Sequence, residues 1–211
     1  MESLTMKPEE IETESFRIID SEAGEHGWGE PEWQIVRRAI HTSADFEYAQ
    51  SMIMSDNVVE KAVDAIRSGA GIVTDTTMAL AGISKSRLVS FHCEATCHVA
   101  DSDVGALAKR EGVTRSVTAM RKALRNPNNR IFVIGNAPTA LFELLRLIEA
   151  GNASPALIIG LPVGFVGAEE SKNALATLDH GIPFITNIGR KGGSNVAASV
   201  VNALAILAEG K

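Results

Sequence analysis

Between residues 71 and 208 short apolar runs alternate with longer stretches in which apolar residues recur every three or four positions. The runs at 71–75, 87–93, 130–135, 156–160 and 183–186 are rich in Ile, Val and Phe and are bounded by Gly, Asn, Pro or Asp, the pattern of buried strands. The stretches 104–110, 116–125, 138–150, 168–178 and 194–208 have helical spacing. Strands of about five residues separated by helices of about ten imply right-handed βαβ crossovers and a parallel sheet covered on both faces. The expected fold class is α/β: a doubly wound parallel sheet of about five strands in three α/β/α layers.

The first 70 residues read differently. Pro8 opens a first helix with acidic residues behind it, running to about Ile19, and residues 23–32 are Gly-rich and polar, hence loop. Pro31 opens a second helix with Ile35, Val36, Ala39 and Ile40 on one stripe; Arg38 and His41, three residues apart, share another face. A third helix, 57–68, ends at Gly69. The whole chain, 1–211, is expected to be one domain, with a helical part to about residue 70 and the βαβ core from 71 to 208.

Composition narrows the function. A net charge of −6 excludes a general nucleic-acid binder, which needs a basic excess, so an anion site here has to be a local basic cluster. No apolar run approaches the roughly 20 residues that span a bilayer, and no signal segment opens the chain, so no membrane contact is expected and the location is read as cytoplasmic. Two cysteines are too few for a disulfide scaffold.

In a doubly wound sheet, ligands sit beyond the C-terminal ends of the strands. That rule selects Asp75, the turn 135–139 with Asn136, the turn 160–165, and the turn 189–194 with Arg190, Lys191, Gly192, Gly193 and Ser194. Such turns offer N–H groups to anions, and Arg190 and Lys191 add charge suited to carboxylates. None is a Walker A loop or a dinucleotide fingerprint, so no nucleotide cofactor is expected, nor any other cofactor. His41, at the end of the arginine-bearing helix, is the side chain best suited to exchange a proton at neutral pH. A different chemistry is suggested by His92, Cys93, Cys97 and His98, whose spacing could ligate zinc; an extended strand there would instead point alternate residues to opposite faces.

Several long words in order carry a family resemblance: ESFRII at 14–19, RAIHTSADF at 38–46, TDTTMAL at 74–80, TRS at 114–116, GNAPTAL at 135–141, PVGFVG at 162–167 with ESK at 170–172, and GRKGGSN at 189–195. Nearly end to end, the chain resembles the precorrin-8X methylmutase family, in the form usually called cobalt-precorrin-8 methylmutase. The resemblance implies a flavodoxin-like fold, a homodimer with sites near the subunit interface, and an isomerase of corrin biosynthesis that moves a methyl group from C-11 to C-12 of a tetrapyrrole polycarboxylate. It implies His41 as proton donor and acceptor, Ser15 and Arg38 as substrate contacts, and Arg115 as a further contact. Asn136, Arg190, Gly192, Gly193 and Ser194 join them as substrate-binding candidates, with no metal ligand assigned. Trp28, Trp33, Phe46 and Tyr48 make the helical third the more aromatic part, which suits an interface. A non-catalytic corrinoid-binding protein of the same fold is the other reading within this family.

Overall fold

The sheet in this computed structural model, which describes residues 7–177 and 181–210, has six strands: β1 (Met52–Met54), β2 (Gly71–Thr74), β3 (Ala95–Cys97), β4 (Asn129–Ile134), β5 (Leu157–Gly160) and β6 (Phe184–Asn187). Their order is β1-β6-β5-β4-β2-β3. All neighbours are parallel except β1, which runs antiparallel to β6 with Ile53 opposite Thr186. The sheet is therefore mixed and six-stranded rather than parallel and of about five strands. The added strand is three residues long, too short for a period of two to show, and its methionines carry no strand preference.

Side-chain alternation along the central strands sends Ile131, Val133, Leu157, Ile159 and Ile185 to one apolar cluster. Val73, Phe132, Ile134 and Ile158 go to the other. The first cluster is covered by α2 (Glu30–Ser43), α4 (Val58–Arg67) and α11 (Ser194–Ala208). The second is covered by α8 (Arg115–Ala123), α9 (Pro138–Glu149) and α10 (Ala168–Thr177). Each fully buried Ile or Phe contributes about 1.5–3 kcal/mol. This explains why the central strands read as unbroken apolar runs. Helix α1 (Pro8–Ala23) packs outside the layer, against α2. Residue 178, at the end of the expected 168–178 helix, lies outside the described residues.

One expected strand is corrected. Residues 87–93 are not extended: α6 (Lys85–Val89) is followed by a turn in which His92 has a φ of 58°, and the strand comes later, as β3. Leu88 enters the core from a helical turn, and Cys93 closes that turn by donating its N–H to the Leu88 carbonyl at 3.2 Å. An apolar set at 88, 91 and 93 suits that turn as well as it suits a short strand, and packing against α11 decided between them. Two further short helices, α3 (Tyr48–Ser51) and α5 (Thr77–Gly82), were not marked by any apolar period. The remaining helix, α7 (Ser102–Glu111), lies where the spacing placed it. Among the described residues no helix is long and apolar enough to cross a membrane.

Candidate active site

Helix α2 presents the central histidine. Gly29 precedes it, Pro31 and the acidic Glu30 and Glu32 fill its first turn, and Trp33, Ile35, Val36, Ala39 and Ile40 bury its inner stripe. It stops at Ala44, which adopts a left-handed conformation (φ 54°) and donates its N–H to the Ile40 carbonyl at 2.7 Å. His41 thereby stands exposed in the last turn. Its ring meets Phe16 of α1 edge-on, with 5.2 Å between centroids. Around it lies a cavity of about 230 Å³ walled by Ser15, Ile18, Ile19, Glu22, Ile40, Ala44 and Phe46. Ser15, 26 positions away in sequence, is thus brought to His41, its hydroxyl donating to the Ile11 carbonyl at 2.7 Å.

Arg38 also meets Phe16. Its guanidinium lies 4.8 Å from that ring's centroid and pairs with Glu12. Arg38 is not among the residues walling the His41 cavity.

A second cavity, about 350 Å³, adjoins the far end of the same turn and is lined by Thr42, Ser43, Asp45, Tyr48, Val163, Lys191, Gly192, Asn195 and Val196. It brings the loop after β6 to the loop after His41. Lys191 Nζ reaches Asp45 Oδ2 at 2.5 Å and also pairs with Glu47. These partners raise the Lys191 ammonium above the ordinary lysine range and lower Asp45. Lys191, expected to supply charge to an anion, is thus already neutralised. Burial pushes the Tyr48 phenol in the same wall up to about 12.

The glycines of this loop are there for close approach. A Cβ on Gly192 would overlap the Leu161 carbonyl oxygen, and the Gly193 N–H donates to that oxygen at 3.0 Å. Ser194 is buried and its hydroxyl meets Thr76 Oγ1 at 2.7 Å. Arg190 is exposed, 5.7 Å from the centroid of Phe165 and 4.0 Å from Glu169.

The turn carrying Asn136 is arranged otherwise. Asp75, fully buried, accepts the N–H groups of Gly135 (3.0 Å), Asn136 (2.8 Å) and Ala137 (2.7 Å). Burial pushes its carboxyl up, against the pull of those three donors. The N–H groups expected to face an anion are therefore spent on the protein, and Asn136 has its side chain left to offer. Arg115, first residue of α8, is exposed and rests against Gly105, 3.6 Å from where that residue's Cβ would be. Thr114 caps α8 and its hydroxyl meets Thr139 at 3.0 Å, which places Arg115 beside the start of α9. Neither Arg115 nor Asn136 lines either cavity described above.

The cysteine and histidine cluster does not converge. Cys93 Sγ is buried against the Ile66 carbonyl, and His98 Nδ1 pairs with Asp101 at 3.0 Å. Among the described residues no three His, Cys, Asp or Glu side chains could hold a metal ion together.

The precorrin-8X methylmutase (CbiC) family model matches residues 10–207. The chain belongs to the precorrin-8X methylmutase family. It is 48% identical over 206 residues to a cobalt-precorrin-8 methylmutase of Priestia megaterium, covering 98% of this chain and 91% of that protein. It is 44% identical over 204 residues to one from Salmonella typhimurium, covering 94% of each. The crystal structure of a precorrin-8X methyl mutase from Thermus thermophilus superposes with a TM-score of 0.86 at 40% identity, covering 95% of this chain and 98% of that one. Like its family, this methylmutase is an isomerase of cobalamin biosynthesis.

Sequence reasoning passed over Glu22 and Phe46 in the His41 wall, the Asp45 and Glu47 clamp on Lys191, and buried Lys172. The last had a signal: Ala168, Ser171, Lys172 and Leu175 follow the helical period and are all buried.

Proposed function

We propose that this methylmutase moves the methyl group from C-11 to C-12 of a (cobalt-)precorrin-8 macrocycle, with His41 giving a proton to the ring system and taking it back. The exposed imidazole in the wall of a cavity that joins Ser15 to apolar side chains carries this reading. Protonation lets positive charge develop in the conjugated ring as the methyl group migrates, and loss of the same proton completes a rearrangement with no net redox change. No electron carrier is required by that chemistry. Cobalt, where present, belongs to the substrate.

The rim carboxylates would meet Arg115, Arg190, the Asn136 side chain and the start of α11 behind Gly192, Gly193 and Ser194. Ser15 would contact the macrocycle beside His41. Arg38 would act on the substrate at the site's edge, from its place against Phe16.

A homodimer fits the size of the site. A cavity of about 230 Å³ is below the range of roughly 300–1,000 Å³ usual for ligand pockets, and a tetrapyrrole polycarboxylate needs the upper part of that range. A second subunit would supply the missing wall. Of the aromatic residues expected at the interface, Trp33 and Tyr48 are buried in the core, Trp28 is half-buried and Phe46 is exposed. Phe165 and Val166, 84% and 89% exposed, are the most exposed of the large apolar side chains and would be free to meet a partner. A flavodoxin-like fold is supported by strand order: without β1 the parallel strands run 2-1-3-4-5 in chain-order numbering. The single-domain reading is supported by two apolar clusters sharing one sheet.

The test is the visible absorption of the protein mixed with a late corrinoid intermediate, because migration changes the conjugation. A spectral change that goes on to a new product identifies a methylmutase. A static binding spectrum with unaltered ligand on extraction would instead mean a non-catalytic corrinoid binder.

A further inference from the structure

Lys172 is 1% exposed in the middle of α10. A buried ammonium is expensive unless paired, and its hydrogen-bond partners are not carboxylates. Its Nζ donates to the Lys191 backbone carbonyl at 2.6 Å and to Asn187 Oδ1 at 3.1 Å. The amide of Asn187 in turn donates to the same Lys191 carbonyl and to that of Ile188, both at 3.0 Å. One carbonyl oxygen thus takes two donors, one of them charged, and both hold the turn that follows β6.

That turn is where the two halves of the site meet. Gly193 is bonded to Leu161, the Arg190 carbonyl accepts the Gly164 N–H at 3.2 Å, and the Lys191 side chain crosses to Asp45 and Glu47 behind His41. The backbone carbonyl of Lys191 is held by Lys172 and Asn187 while its side chain is held by Asp45 and Glu47.

We propose that Lys172 is a positioning residue, whose buried ammonium sets the conformation of loop 188–193 and, through Lys191, the placement of the turn that follows His41. Its position in the methylmutase mechanism rests on the functional reading above. An ordinary packing role for α10 would be served by an apolar side chain, which would be cheaper to bury. A lysine supplies what such a side chain lacks, a donor long enough to reach the loop. It acts without touching the substrate.

The experiment compares wild type, Lys172→Met and Lys172→Gln, the last keeping an amide donor on a shorter stem. Amide hydrogen exchange in the ligand-free protein should accelerate about tenfold or more over residues 188–194 in Lys172→Met, with strands β4 and β5 unchanged and Lys172→Gln in between. Turnover of the corrinoid should show KM raised about tenfold with a smaller loss in kcat, again partly rescued by Gln. If Lys172→Met folds and leaves exchange of the loop at its wild-type rate, the proposal is wrong. Loss of the fold in both variants would assign the lysine to stability and overturn it as well. Should wild type itself fail to turn over the corrinoid, the functional reading falls, while exchange in the free protein still decides the role of Lys172.

Discussion

Asp75 Oδ2 accepts the Asn136 N–H at 2.8 Å across 61 residues of sequence. With the bonds to Gly135 and Ala137 it ties the turn after β4 to the end of β2, where the strand order reverses. In other doubly wound sheets the crevice at that point takes a ligand. Here a carboxylate of the protein takes up three N–H groups of the turn after β4.

Asp75→Asn keeps the shape but aims an amide N–H₂ at backbone donors, leaving buried groups unsatisfied. We expect a loss of about 2–4 kcal/mol in chemical denaturation. A variant as stable as wild type would mean the turn holds itself.

His41→Ala should keep the fold and product binding yet slow turnover by about 10²–10⁴, the usual worth of a positioned acid or base. His41→Asn should be as slow, since an amide hydrogen-bonds but does not supply a proton at neutral pH. Substantial activity in the Asn variant, read from single-turnover absorption, would reduce His41 to an orienting group.

Arg115 and Arg38 should separate. Arg115 is exposed and its guanidinium has no ion pair among the described residues, so Arg115→Ala should weaken product binding by about 1.5–3 kcal/mol and leave the melting temperature in place. Arg38 holds Glu12 and covers Phe16, so Arg38→Ala should lower stability by about 0.5–2 kcal/mol. It should also slow turnover through the ring beside His41. Parallel titrations and melts of the two variants check this; identical behaviour would refute the distinction.

Lys172 also predicts a pH dependence. Burial pushes its ammonium down to about 8 from an ordinary 10.5. Between those values the unfolded chain binds more protons than the folded one, so this group's contribution to stability rises with pH across that window. The stability of wild type relative to Lys172→Met should therefore improve by about 1–3 kcal/mol from pH 8 to pH 10.5, measured by urea unfolding. A flat difference would show that the ammonium keeps its proton through that range.

Much of the architecture was written in the sequence, because helices and buried strands repeat with periods that apolar residues display locally. Four of the five parallel strands needed only short unbroken apolar runs; for 87–93 the same kind of run satisfied a helical turn, and the strand formed instead at Ala95–Cys97. His41 was also legible, since its helix, its stop and its exposure follow from residues within one or two turns of it. What only tertiary structure decided is which polar groups are spent on the protein. Nothing near Lys191 announces that Asp45 and Glu47, more than 140 positions away, neutralise it. Nor does the turn at Asn136 reveal that Asp75 consumes its N–H groups, or α10 that Lys172 reaches the loop after β6. Hydrogen bonds and ion pairs act over about 3 Å in space and carry no sequence period, so their partners become known only when the chain has brought them together.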